Sequence, residues 1–246
     1  MTYRERRKQA EKREQICKII LAIALLGVCL YCFWDGVQWE NGKSSGYGIG
    51  FLVPTYSGQA FCVINDNVPF FTEEEKETDS FENYSELDSL GRCGPAFANV
   101  SRELMPKKDR EEIGHIKPTG WKQAKYEGVV DSVPPYLYNR CHLIAFCLTG
   151  ENDNEKNLIT GTRYMNVEGM LPFEEKVARY LDQYDHHVLY RVTPVFTGNN
   201  LLADGVLMEA YSVEDDGAGV CFCVYVFNVQ PGVGIAYATG DSWKDL

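Results

Sequence analysis

The sequence predicts an α+β domain on a mixed or antiparallel sheet, preceded by one N-terminal membrane-spanning helix. Three observations carry this. Apolar runs of strand character lie both before and after a central insert that contains a helical pattern, which favours segregated α+β layers. An uninterrupted apolar stretch, Ile16 to Trp34, carries one charge, Lys18. The segment from Tyr138 to Glu175 crowds Asn, Asp, Glu and His residues between apolar runs, a pattern that folding alone does not explain.

The chain has 246 residues, 45% of them hydrophobic, enough for one main domain with an appendage. A formal net charge of −11 excludes a protein that coats nucleic acid through general basicity. It leaves open an enzyme that meets phosphates in a local cleft. Cys17, Cys29 and Cys32 belong to the apolar segment, which leaves Cys62, Cys93, Cys141, Cys147, Cys221 and Cys223. Those six allow 15 pairings. No CxxC pair occurs among them, and Cys221 and Cys223 share one face of a strand. Free thiols are expected rather than a disulfide framework, and a structural zinc site is not.

Residues 1–15 form a basic segment, with Arg4, Arg6, Arg7, Lys8, Lys12 and Arg13 against Glu5, Glu11 and Glu14. Residues 16–34 are long enough to cross the hydrocarbon layer. Tyr31, Phe33 and Trp34 supply an aromatic edge, and the basic flank stays inside. The expectation is a single-pass anchor in the cell membrane with the C-terminal domain outside. Secretion after signal cleavage is the alternative, although no small-x-small cleavage site follows cleanly. Residues 35–53 are linker, and 54–246 are the main domain.

Within that domain, the AFCVI run of residues 60–64 reads as a strand, followed by a turn at Asn65–Asp66–Asn67. The acidic stretch 72–88 reads as a solvated surface that is partly helical, and 94–105 as Gly-punctuated chain. KPTGW, residues 117–121, is a turn that displays Trp121. Pro134 and Pro135 keep the approach to Tyr138 extended. Phe173, Val177, Tyr180 and Leu181 recur at helical spacing, which predicts a helix over 173–184. The runs 187–196 and 201–213 alternate and are joined by Thr197-Gly198-Asn199-Asn200, a hairpin. A last apolar strand spans 220–229.

His142 closes an extended run, in what reads as a tight Asn-Arg-Cys-His turn. A histidine near neutral pKa can take a proton from water, although a lone histidine is more often structural. Asn166 and Glu174 strengthen the signal, because Mg²⁺ prefers oxygen ligands and keeps several waters. On a regular helix a spacing of eight residues sets them about 80° apart, and Pro172 between them interrupts that geometry. Asn166 would serve equally as a helix cap. Cys141 beside His142 makes a poor thiol nucleophile, since adjacent residues rarely present both groups to each other. Trp121 could pack against the core or stack on a base.

Six motifs, taken in order, resemble the DNA/RNA non-specific endonuclease family of ββα-metal (His-Me finger) nucleases. They are YSGQAFCVINDNVPFF, LDSLGRCG, KPTGW, YNRCHLIAFCLTG, NLITGTRYMNVEGM and YVFNVQPG. The similarity is greatest to the DNA-entry-nuclease-like branch of Gram-positive bacteria. It implies a ββα-metal core and sequence-non-specific hydrolysis of DNA, with RNA as a further candidate substrate. Mg²⁺ is the implied cofactor and Mn²⁺ a substitute. The family's Asp-Arg-Gly-His signature stands here as Asn139-Arg140-Cys141-His142.

The resemblance makes His142 the general base, Asn166 the metal ligand, and Glu174 a catalytic residue that holds metal-bound water. Arg140 joins the catalytic set, while Asn139, Asn157 and Arg163 are candidate substrate contacts. An upstream arginine should meet the phosphate, with Arg92, Arg102 and Arg110 as candidates. The competing reading is an inactive, surface-displayed module that binds nucleic acid or protein on the same fold; the acidic charge and Asn139 favour it.

Overall fold

The computed structural model describes residues 53–76 and 79–245. The predicted basic segment, the membrane helix and all but the last residue of the linker lie outside the described residues. Among the described residues no helix is long and apolar enough to cross a membrane.

In chain order the elements are β1 (Phe61–Val63), β2 (Phe81–Tyr84), β3 (Ala96–Val100), β4 (Tyr138–His142), α1 (Phe146–Thr149), β5 (Leu158–Thr162), α2 (Leu171–Gln183), β6 (Val188–Val195), β7 (Gly205–Ser212), β8 (Cys221–Phe227), β9 (Val233–Ala236) and β10 (Asp241–Lys244). A π-helical turn, Met165–Met170, leads directly into α2. Six strands form one sheet in the order β1-β8-β7-β6-β3-β2. Every pairing in it is antiparallel, so the sheet is not mixed. β4 with β5, and β9 with β10, are separate antiparallel hairpins.

Period-2 alternation gives the large sheet two different faces. Ala96, Val192, Met208 and Val224 stand in register across four strands, all buried, and meet the helices. Val177 and Leu181 of α2 are buried in that same core, each worth about 1.5–3 kcal/mol of transfer free energy. Phe173 sets its ring 4.8 Å from Phe61 and 4.9 Å from Phe222. Gly169 lets the π turn approach β8, because a Cβ there would strike Cγ1 of Val226.

One residue along each strand, Phe97, Arg191 and Glu209 face the other way. The Arg191 guanidinium donates to both Glu209 oxygens (2.8 and 3.1 Å) and to Glu75 (3.2 Å), beneath the Phe71 ring. Phe70 N–H donates to Glu209 at 2.8 Å. These contacts hold residues 70–75 across the sheet's second face, and they explain a charge pair whose carboxylate is fully buried.

Several expectations change. Among the described residues, the acidic stretch holds one 3₁₀ turn, Glu73–Glu75, closed by a Thr72–Glu75 capping box. Its later part is strand β2, where Phe81 packs edge-on against Phe97 of β3. β3 itself, inside the Gly-punctuated chain, is almost wholly buried. His142 ends a strand and does not lie in a turn. The β6–β7 pair forms as expected, but its connection is longer because Leu202 and Ala203 turn inward and are buried. All six cysteines of the described residues are free. The Asn65–Asn67 turn is present, with φ of 49°, 51° and 67°, left-handed values that Asn and Asp tolerate.

Candidate active site

A hairpin followed by a helix builds the site. β4 pairs with β5 so that His142 lies opposite Leu158 and Asn139 opposite Gly161. Asn228, fully buried just past β8, ties this hairpin to the main sheet. It accepts from Thr162 N–H at 2.9 Å and donates to Thr160 O (3.1 Å) and Ala203 O (2.9 Å). Gln230 accepts from Tyr164 N–H at 3.1 Å, and the Thr162 hydroxyl accepts from Met165 N–H at 3.0 Å. These contacts fix the point where the helical run begins, and they give the NVQPG motif its physical meaning.

The helical run is continuous through Pro172. The π turn carries a Leu171 N–H to Asn166 O bond, and Pro172, which lacks an N–H, follows at the start of α2. A π bulge accommodates one extra residue, so the spacing from Asn166 to Glu174 acts like about seven helical residues, close to two turns. Asn166 and Glu174 therefore line the same cleft, and the interruption expected at Pro172 does not occur.

That cleft has a volume of about 820 Å³. His142, Asn166, Glu174, Arg110, Asn139, Arg140 and Arg163 all line it. His142 is 7% exposed. Its Nε2 lies 2.8 Å from Asn152 O, and since a carbonyl only accepts, Nε2 carries the proton. Nδ1 is then the lone-pair nitrogen, and the Arg110 guanidinium donates to it at 3.3 Å. Burial pulls the imidazole pKa down to about 4, with the Arg110 charge adding to the effect and the Asn152 carbonyl opposing it. The ring is a neutral base.

Glu174 is 8% exposed and makes no hydrogen bond among the described residues. Burial pushes its carboxyl up to about 8, against the pull of the Arg110 charge and with Glu175 adding to the rise. The fully buried Tyr190 hydroxyl, close enough to feel the Glu174 charge, has no hydrogen-bond partner among the described residues. The Asn166 amide and the Arg163 guanidinium also make no side-chain hydrogen bonds among the described residues. An unpartnered amide oxygen and an unpartnered buried carboxylate on one wall suit a hard divalent cation that keeps much of its water. No group of three or more His, Cys, Asp or Glu side chains forms a metal cage among the described residues.

The three upstream arginines separate clearly. Arg92 is buried, pairs with Asp88 at 2.7 Å and donates to Gly198 O and Asn200 O. Arg102 donates to Leu181 O and Asp182 O. Only Arg110 of the three lines the cleft. Arg140 lies in the cleft wall, where its guanidinium donates to Gly114 O at 2.7 Å and to Ile116 O, and sits 4.2 Å over the Trp121 ring. It thus braces the 114–116 loop against Trp121.

Asn157 requires correction. It is fully buried and absent from the cleft wall, so it is not a substrate contact. Its side chain accepts from Ile144 N–H at 2.8 Å and donates to Ile144 O at 2.9 Å. Asn157 O also accepts from Leu143 N–H at 2.8 Å. It clamps the chain just beyond His142. Sequence reasoning missed Gln123, which exchanges two hydrogen bonds with the Tyr138 backbone, and Tyr190, whose apolar strand context gave no sign of a nearby carboxylate. Burial raises the Cys141 thiol well above its ordinary value, and raises Cys147 to about 11, so neither is an activated nucleophile.

A hairpin bearing a neutral imidazole, followed by a helix bearing an amide and a carboxylate, defines a ββα-type site. The sequence profile of DNA/RNA non-specific endonucleases matches residues 72–214. The chain belongs to that family. A deoxyribonuclease of Streptococcus dysgalactiae subsp. equisimilis is 30% identical in an alignment of 208 positions that covers 69% of this chain and 62% of the relative. The chain thus matches less than two thirds of that relative's length. NucA from Streptococcus agalactiae, solved with a magnesium ion bound, superposes with a TM-score of 0.69 at 25% identity, over 80% of this chain and 92% of NucA. The Sda1 nuclease with bound zinc shares the fold, with a TM-score of 0.62 at 24% identity, over 76% of this chain and 97% of Sda1.

Proposed function

We propose that this chain is a metal-dependent, sequence-non-specific endonuclease that hydrolyses phosphodiester bonds of DNA, and of RNA where it gains access to the cleft. The observation that carries the reading is the fixed tautomer of His142. The Asn152 carbonyl holds the proton on Nε2, so Nδ1 keeps its lone pair within the cleft that Asn166 and Glu174 also line. Arg110, which donates to Nδ1 in the free chain, turns to the phosphate when substrate binds, and Nδ1 then accepts a proton from the water that attacks phosphorus in line. Its low pKa keeps it unprotonated at neutral pH before substrate binds.

Asn166, through its amide oxygen, and Glu174, through intervening water, would hold Mg²⁺, with Mn²⁺ as a substitute; NucA carries a magnesium ion. Bound there, the ion supplies positive charge against the pentacoordinate transition state and the leaving 3′ oxygen. Arg110 and Arg163 donate to non-bridging phosphate oxygens, and Asn139 offers a neutral contact at the same wall. Arg140 acts by keeping the 114–116 loop in place. Because such contacts address the phosphate backbone, base identity has little effect on cleavage. We place the domain outside the cell on the anchor at 16–34; protease treatment of intact cells tests this, and protection of the domain would contradict it.

The deciding experiment is plasmid and RNA digestion by the purified full-length chain with Mg²⁺, with EDTA, and as His142→Ala. Metal-dependent cleavage that is lost in the variant supports the reading. If the folded chain leaves both polymers intact with Mg²⁺ or Mn²⁺, the reading fails and the chain is a binding module on a nuclease fold.

A further inference from the structure

Besides the candidate site residues, the cleft is lined by four aromatic side chains, Trp121, Tyr136, Tyr138 and Phe146. Tyr136 lies six residues upstream of His142, two before β4 begins, with a bend at Leu137 between them. It lines the same cleft, and at 39% it is far more exposed than the core tyrosines. Tyr138, two residues on, is 1% exposed. The position of Tyr136 is not accidental. Its N–H donates to Pro134 O at 2.8 Å, Lys125 pairs with it in an isolated antiparallel bridge, and Lys125 Nζ stands 5.0 Å from the ring centroid. Leu171, 37% exposed, gives the cleft another apolar contact. Trp121 is a poorer platform, because it is less exposed than Tyr136 and is held between the Arg140 guanidinium and the buried Tyr138 ring.

We propose that Tyr136 is a stacking platform for a nucleobase. The substrate is then a nucleic-acid strand with an unpaired base a few nucleotides from the scissile phosphate. This rests on the nuclease reading above and adds the substrate form. Phosphate contacts set where the strand lies, and a ring face accepts any base, so stacking adds affinity without sequence preference. In a duplex that base is paired and its faces are stacked. Single-stranded, gapped or frayed nucleic acid therefore binds better than an intact duplex. Lys125 Nζ covers one face of the ring, which leaves the other for the base and sets a cation beside it.

The test uses end-labelled single-stranded oligonucleotides, each with one abasic residue, cut by the full-length chain in Mg²⁺. A non-specific enzyme gives an even ladder. Loss of one stacked base should produce a dip, roughly 5- to 150-fold, at a fixed offset from the abasic residue. Tyr136→Phe keeps the dip, and Tyr136→Ala cuts every bond alike. An even wild-type ladder, or a dip that persists in Tyr136→Ala, overturns the proposal. If the wild type cuts nothing, the nuclease reading fails, and stacking is decided by fluorescence anisotropy with a labelled oligothymidylate. Weaker binding by Tyr136→Ala than by the wild type supports the platform, and equal binding removes it.

Discussion

Replacing Asn157 by alanine distinguishes a clamp from a substrate contact. The side chain satisfies both the N–H and the C=O of Ile144, at 2.8 and 2.9 Å, and all three groups are buried. Alanine leaves that donor and that acceptor without partners, and each orphaned group costs about 1–3 kcal/mol. The expected loss is therefore roughly 2–6 kcal/mol, a large share of a typical domain's stability. For a domain of this size that lowers Tm by about 5–20 °C. The assay is thermal unfolding by circular dichroism, with nuclease kinetics measured well below the new Tm. Because the clamp holds Ile144, two residues beyond His142, kcat should fall along with stability, while KM changes little. A Tm within 2 °C of the wild type together with a clear rise in KM would refute the reasoning and return Asn157 to the substrate contacts.

Three further outcomes follow from the structure. His142 has a folded pKa of about 4, below its ordinary 6.5, so the unfolded chain binds the extra proton first. Its contribution is complete above pH 6.5 and is lost as pH falls toward 4, on the order of 3 kcal/mol; Glu174, raised to about 8, titrates with the opposite sign in the same window, so the measurement is the difference between the wild type and His142→Asn in urea unfolding from pH 7.5 to 4.5, which should shrink toward the acid end. Glu209→Ala leaves Arg191 on the inner part of a sheet face without its bidentate partner and should cost about 3–5 kcal/mol in urea unfolding; a loss below 1 kcal/mol would mean that Glu75 suffices. Gly161→Ala places a Cβ against Cys141 Sγ and should destabilise by about 1–3 kcal/mol. Adding Cys141→Gly should recover most of that loss, and no recovery would show that the crowding comes from Met165 instead.

The alternating runs of β6, β7 and β8 and the spacing of α2 were legible because each element's burial pattern repeats along its own residues. β2 and β3 were not, because one is acidic and the other short and Gly-flanked; their strand state comes from pairing with each other and with β6. The residue types at His142, Asn166 and Glu174 marked the candidate chemistry. Their meeting depended on a π turn that shifts helical phase by one residue, and i→i+5 bonding has no sequence period to read.

The sequence by itself picked out His142, Asn166 and Glu174 as candidates by residue type. Only the tertiary structure decided among residues of identical type. Arg92 and Arg102 donate to backbone carbonyls, whereas Arg110 reaches His142. Asn157 is a clamp and Asn166 a free amide. The reason is physical: a side chain's role is set by the partners within about 3 Å of its polar atoms, and those partners lie 10 to more than 100 residues away along the chain.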